Sequence, residues 1–421
     1  MSTADSFERP SPADVRAGAE RLRGVAVRTP LERSQRLSDA VDADVWLKRE
    51  DLQPVRSYKL RGAYNFIASL SDEERAAGVV CASAGNHGQG VAFTCRRLGV
   101  RCQVVLPRTT PRQKLERIVA LGGEVTEVVM QGHTYDDAHQ AAVALAASSG
   151  AVLVPPFDHP KVIAGQGTVA LEVFEQLPAP PDLVVVPLGG GGLTAGVAVM
   201  AAAAEPRPRV VGVEPAGAPS MRAALDAGGP VTLPSIDGFV DGAAVRRAGD
   251  LTYAVVRDLV DDVVAVDEGS VCTTMLELYQ SDGIIAEPAG ALSVAALRDA
   301  VKVTPGSTVV CIVSGGNNDV SRYGEIVERS LVHEGLKHYF LVQFPQEPGA
   351  LRGFLDGVLG PTDDITLFEY VKKNNRETGP ALVGIEIAAR ADLAPLLERM
   401  SSSGLHIEPL EAGSPAFRFL V

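Results

Sequence analysis

Cysteine is scarce in this 421-residue chain and odd in number. Cys81, Cys95, Cys102, Cys272 and Cys311 lie in apolar runs without the paired spacing of a metal site, which argues against a secreted disulfide framework and predicts buried thiols. Positive charge is also short: 39 Lys and Arg stand against 52 Asp and Glu, for a net charge of −13. Nucleic acid and anionic membrane surfaces both attract clustered cations, so neither is an expected partner. No apolar run approaches the ~20 residues of a membrane span. Residues 1–12 are polar and contain proline, without the apolar core of a signal peptide, and a cytoplasmic location is expected.

What is present suits a sheet-and-helix enzyme. Hydrophobic residues make up 46% of the chain and glycines number 42, in a length that allows two or three domains of roughly 100–200 residues each. The central stretch leads from an apolar strand over 45–47 through a charged turn containing Pro54 to Ser57, which is placed to cap a helix carrying Lys59 in its first turn. A helix N-terminus is electropositive and, with Arg56 and Arg61 beside it, disfavours a protonated amine. Lys59 is therefore a candidate for an amine that attacks carbonyls.

Three strands end in glycine-rich loops. The strand over 79–82 enters Ser83-Ala84-Gly85-Asn86-His87-Gly88-Gln89-Gly90 ahead of a helix over 91–98, so the loop amides face any anion held there. The strand over 183–188 ends in Gly189-Gly190-Gly191-Gly192 before an alanine-rich helix. Four glycines cost backbone entropy that a simple turn would not require, and the helix dipole behind them favours a dianion such as phosphate. The strand over 308–313 ends in Ser314-Gly315-Gly316-Asn317-Asn318. Such junctions at the carboxyl ends of strands describe one crevice of an open parallel sheet.

Between these loops the pattern alternates strand and helix. Strands are predicted over 100–106, 124–129 and 152–155, with helices over 111–121, 135–147 and 168–177, which is the signature of a parallel sheet covered on both faces. His159 reads as a structural loop residue. Beyond about residue 337 the glycine frequency falls and the order becomes strand, helix, strand, strand, helix, strand, a ferredoxin-like arrangement.

Together, Ser57-Tyr58-Lys59-Leu60-Arg61-Gly62-Ala63, the 83–90 loop, Gly189 to Gly192 with Leu193, Glu287-Pro288-Ala289-Gly290-Ala291 and Ser314-Gly315-Gly316-Asn317 resemble the threonine dehydratase (threonine ammonia-lyase) family. That family belongs to the tryptophan-synthase-β group of pyridoxal-phosphate enzymes. The likeness runs in order from about residue 29 to 330, and the tail resembles the regulatory region of the biosynthetic form.

The resemblance implies an α/β fold of two-lobed open parallel sheets (fold type II) over residues 1–332, with a smaller lobe at about 70–153, and an ACT-like ferredoxin-like α+β domain over 333–421. It implies pyridoxal phosphate as cofactor, held covalently by Lys59, with its phosphate on Gly189, Gly190, Gly191, Gly192 and Leu193, its ring hydroxyl on Asn86 and its pyridine nitrogen facing Ser314. Ser83, Ala84, Gly85, Asn86 and His87 would bind the substrate carboxylate, and the Lys59 amine would remove the Cα proton. The implied reaction converts L-threonine to 2-oxobutanoate and ammonia in a homotetramer, with isoleucine as inhibitor and valine as a second effector. Alternatives of the same fold are a serine/threonine dehydratase, a racemase or a hydroxyaspartate ammonia-lyase. Ala84 stands where serine racemases carry a proton-donating serine, which favours elimination. Glu214-Pro215 followed by Ala218 and Ser220 resembles the racemases' cation site, but Ser220 replaces a carboxylate, so Glu214 reads as hydrogen-bonded and no metal is expected. Glu287 either orients the cofactor or caps the helix from Pro288.

Overall fold

The computed structural model describes residues 8–411 and 414–420. Residues 1–7 of the polar stretch 1–12, and Val421, the expected end of the second domain, lie outside the described residues. The chain divides into two compact units, one ending at Asp319 and one beginning at Val320, ahead of the division expected at 332.

In the first unit the strands are β1 (Leu31–Arg33), β2 (Asp44–Arg49), β3 (Val79–Ala82), β4 (Cys102–Leu106), β5 (Thr126–Met130), β6 (Val152–Leu153), β7 (Leu183–Pro187), β8 (Arg209–Pro215), β9 (Asp262–Val266) and β10 (Thr308–Val313). They form a six-stranded sheet of order β1-β2-β10-β7-β8-β9 and a four-stranded sheet of order β5-β4-β3-β6. The pairings are parallel except that of β1 with β2. Valine-rich β7 is buried at every residue, as a parallel strand covered by helices on both faces must be.

Glycine-mediated helix packing sets the positions of the loops. The helix Pro160–Gln176 lies between the helices Lys59–Ala68 and Gly192–Ala201. A Cβ on Gly165 would come within 2.5 Å of the Arg61 carbonyl, and one on Gly196 within 2.5 Å of the Gly167 amide. Bare backbone on both sides lets one helix fix the starts of the other two. This helix begins well before the predicted 168, and His159 caps it, its Nδ1 accepting from the Lys161 amide at 3.1 Å. The helix predicted over 91–98 likewise begins earlier and spans Asn86–Leu98.

The second unit contains β11 (Lys337–Pro345), β12 (Asp364–Tyr370), β13 (Thr378–Glu386) and β14 (His406–Pro409). They form an antiparallel sheet of order β12-β13-β11-β14, and the helices Ala350–Val358 and Leu393–Ser402 complete the ferredoxin-like order. Alternate residues Phe340, Val342 and Phe344 of β11 are buried, the period-two pattern of a strand with one face on a core. Among the described residues no helix is long and apolar enough to cross a membrane. All five cysteines are free and buried.

Candidate active site

Lys59 opens its helix, but Ser57 does not cap it. Tyr58 holds the cap position without a side-chain bond, and the buried Ser57 hydroxyl has no hydrogen-bond partner. The cause is backbone pairing: Ser57 forms a bridge with Gly315, and the Tyr58 amide donates to the Ser314 carbonyl at 3.1 Å. That pairing brings Lys59 to the loop following β10. Its Nζ lies 3.4 Å from the Pro156 carbonyl.

Arg61 is not a free cation beside Lys59. Its guanidinium is buried and forked onto Glu50, with bonds of 2.7 Å from Nε and from Nη2, and it reaches Glu172 at 2.6 Å. Its charge is neutralised within the core.

Phe157 carries the chain from Lys59 to the tetraglycine loop. A Cβ on Gly190 would lie 2.3 Å from its ring, so only glycine allows this approach. Gly191 adopts φ +95° at the start of the helix Gly192–Ala201, a left-handed conformation that favours glycine. Leu193 is buried in that helix's first turn. The Thr252 hydroxyl donates to the Gly190 carbonyl at 2.6 Å. Thr252 is itself fixed by Asp158, which accepts from the amides of Asp250, Leu251 and Thr252 at 2.9–3.0 Å. Gly189 packs against Ala243, whose carbonyl would be 2.8 Å from an added Cβ.

After β3, residues Ser83, Ala84, Gly85 and Asn86 are half-buried and His87 is buried. Ser83 Oγ accepts from the Gly85 amide at 3.2 Å. His87 is buried with Nε2 3.0 Å from the Val154 carbonyl, and burial, with the nearby Lys59 charge, pushes its imidazole down to about 3. His87 is therefore neutral. A Cβ on Gly85, at the N-cap of this helix, would meet nothing within 4 Å, so there is free space beside that residue. Asn86 Nδ2 donates to Glu287 Oε1 at 2.6 Å, and Asn86 Oδ1 accepts from Asn317 Nδ2 at 2.7 Å. Ser314 is buried with its hydroxyl 3.3 Å from the Ala289 carbonyl. Sequence reasoning gave no role to Asn317, Phe157, Asp158 or Thr252. Asn317 sat in a noted motif, whereas the other three carried no local signal.

Burial pushes the Glu287 carboxyl up to about 7, with Asp241 adding to the rise and the Asn86 and Asn317 donors and Lys114 opposing it. The folded chain therefore holds this proton more tightly than the unfolded one, and this group's contribution to stability falls as pH rises from about 4.5 towards 7. Glu287→Gln removes that loss, so the drop in unfolding free energy between pH 5 and pH 8 should shrink by up to about 3 kcal/mol. Denaturant titrations of both proteins at the two pH values would measure it, and identical drops would contradict it.

Glu214 is hydrogen-bonded: its carboxylate accepts from the Met221 and Arg222 amides at 2.7 and 2.9 Å, and burial raises it to about 7. Among the described residues no cluster of three or more His, Cys, Asp or Glu is arranged to hold a metal ion.

Residues 22–315 match the family described as pyridoxal-phosphate dependent enzyme, and residues 328–420 match the C-terminal regulatory domain of threonine dehydratase. The biosynthetic L-threonine dehydratase of Mycobacterium tuberculosis is 62% identical over 413 residues, covering 98% of this chain and 96% of that one. The chain belongs to the threonine dehydratase family. Among solved structures, the processed threonine deaminase isoform 2 of Solanum lycopersicum is 38% identical with a TM-score of 0.70, covering 76% of this chain and 95% of that one. Maize serine racemase is 35% identical with a TM-score of 0.71, covering 77% and 99%.

The cofactor of this threonine dehydratase family member is pyridoxal phosphate. The residues present fit it. The buried Ser57 hydroxyl beside Lys59 lacks a partner, the tetraglycine loop leads into a helix N-terminus, and the Ser314 side chain offers a neutral hydroxyl at the end of β10.

Proposed function

We propose that this chain deaminates L-threonine to 2-oxobutanoate and ammonia by β-elimination, the first step of isoleucine biosynthesis, in the cytoplasm and as a homotetramer. The observation carrying the reading is the joining of the Lys59 helix start to the Ser314 loop by the Ser57–Gly315 bridge. This juxtaposition of the Lys59 amine with the Ser314 loop supports Lys59 as the amine that holds the cofactor.

Pyridoxal phosphate, when bound, supplies the electron sink for Cα deprotonation. Lys59 holds it and serves as the base at Cα, one amine in two roles. The amides of Gly189, Gly190, Gly191, Gly192 and Leu193 bind the phosphate at a positive helix end. Asn86 Nδ2 would donate to the ring hydroxyl of the bound cofactor. Ser314 would offer the ring nitrogen a hydroxyl, which stabilises a proton there less than a carboxylate would. The helix start over Ser83, Ala84, Gly85, Asn86 and His87 binds the substrate carboxylate through backbone amides, His87 being occupied with Val154. No metal is assigned. We assign residues 1–332 to catalysis and 333–421 to regulation.

Racemisation is the second reading, favoured by the likeness to maize serine racemase. It requires an acid on the far face of the carbanion. Ala84 has none to give, and Ser83 is turned to its own loop. Incubation with L-threonine and with L-serine should yield keto acid and ammonia in large excess over inverted amino acid. Inverted amino acid in excess would overturn the proposal.

The second unit is proposed to bind isoleucine as inhibitor, with valine as a second effector. A coupling of 1–3 kcal/mol is typical between such sites and changes apparent affinity roughly 5- to 150-fold. Initial rates against threonine should turn sigmoidal and shift to higher threonine when isoleucine is added. A curve that isoleucine leaves unmoved would contradict this regulation.

A further inference from the structure

We propose that Asn317 and Glu287 are positioning residues that lock the direction of the Asn86 side-chain amide, so that it presents its N–H and not its carbonyl to the cofactor ring. The inference rests on the reading that Asn86 faces that ring.

An asparagine amide is nearly symmetric in shape but opposite in function at its two ends: rotation by half a turn replaces a donor with an acceptor. Nothing in Asn86 itself selects one direction. The selection begins at the Val55 carbonyl, a group that can only accept. Asn317 Nδ2 donates to it at 2.8 Å, which fixes which end of Asn317 is nitrogen. The same Nδ2 donates to Asn86 Oδ1 at 2.7 Å, which in turn fixes Asn86. Asn86 Nδ2 then meets Glu287 Oε1 at 2.6 Å.

Reversing Asn86 would set its oxygen against a carboxyl oxygen and its NH2 against another NH2. With Glu287 ionised both ends would lose a buried hydrogen bond at once, and with Glu287 protonated the opposition of the two NH2 groups at Asn317 remains. In the observed direction Nδ2 has two hydrogens, and the bond to Glu287 uses one. The other remains for an acceptor on the ligand.

The backbone is shaped to hold Glu287 in this role. Its side chain is only 5% exposed, and a Cβ on Gly315 would lie 2.2 Å from its Oε1, so the glycine of the Ser314 loop makes room for the carboxyl. The backbone N–H of Asn317 also donates to it. The charged groups facing Glu287 are Asp241 and Lys114, which pair with each other at 2.6 Å. The clamp thus joins the loops after β3 and β10 to the start of the helix Pro288–Asp299.

The test compares Glu287→Gln, Glu287→Leu and Asn317→Leu in the full-length protein. Glutamine keeps an oxygen that can accept from Asn86, whereas leucine removes it. Pyridoxal phosphate is titrated into each apo-protein, following the cofactor's visible absorbance and its dependence on pH. Both leucine variants should weaken cofactor binding by about tenfold or more and shift the pH dependence of the band, because the Asn86 donor is no longer held. Glu287→Gln should stay within about threefold of the unmodified protein in affinity. Leucine variants that bind with unchanged affinity and an unshifted band would overturn the clamp, as would a glutamine variant as impaired as the leucine one. Asn86→Ala separates the two levels of argument. If it leaves cofactor affinity and the band unchanged, the reading that Asn86 faces the ring fails as well.

Discussion

A Lys59→Ala chain should fold normally and lose turnover of L-threonine by about three orders of magnitude or more, since general acid–base help alone is worth 10²–10⁴-fold and the covalent hold on the cofactor is lost with it. Folding should survive because Lys59 contributes little to packing. Its hydrogen bond to the Pro156 carbonyl is long, at 3.4 Å, and alanine is a strong helix former at the start of the helix Lys59–Ala68. Keto-acid release, far-UV dichroism and the visible absorbance of the loaded protein would check it together. A well-folded variant retaining a tenth of the activity would show that another group serves as the base.

The strands were legible because parallel strands buried on both faces must be almost uniformly apolar, and Val-Val-Val in β7 or Val-Val-Cys-Ile-Val in β10 has few other uses. Two helix starts were not. The stretches Asn86-His87-Gly88-Gln89-Gly90 and Ile163-Ala164-Gly165-Gln166-Gly167 read as loops because glycine weakens helices. Their glycines instead serve close packing. A Cβ on Gly88 would lie 2.1 Å from the Ser83 carbonyl, and one on Gly90 would press on the backbone of Lys59 and Leu60 at 3.2 Å. The intrinsic cost of helical glycine is offset by contacts that only the folded chain reveals.

At the site, the glycine loops and the lysine could be found locally, but their partners could not. Ser57 has the composition of a cap, yet its backbone is committed to Gly315. Glu287 was open between two roles because its decisive partner, Asn86, is 201 residues away in sequence. The structure gives it no side-chain cap bond to its own helix, which removes one of the two roles. Arg61 looked like a charge that would depress its neighbouring amine, whereas the fold turns it into the core.

That burial leads to the largest expected effect on stability: Arg61→Met should destabilise the folded chain by roughly 3–5 kcal/mol. Arg61, Glu50 and Lys48 are 1% or less exposed, and Glu172 is 15% exposed. Arg61 binds both carboxylates, and Lys48 Nζ donates to Glu172 at 2.6 Å, to the Thr29 carbonyl at 2.8 Å and to Gln176 at 2.9 Å. Two cations and two anions balance. Burial alone would raise the Glu50 carboxyl, but Arg61, Lys48 and the Thr29 hydroxyl hold it below the ordinary range. Removing the guanidinium leaves Glu50 charged and unpaired in the core, or forces it to take up a proton. Such an uncompensated charge costs more than the intact pair contributes over an apolar substitute. The double variant Glu50→Gln, Arg61→Met should therefore recover part of the loss, because the orphaned charge is gone and Thr29 and Gln53 still offer hydrogen-bond partners. Arg61→Lys should not rescue fully, since an ammonium cannot make the two-pronged contact with Glu50. Denaturant unfolding of the single and double variants, analysed as a cycle, would measure the coupling, and an Arg61→Met protein within 1 kcal/mol of the unmodified chain would contradict the argument.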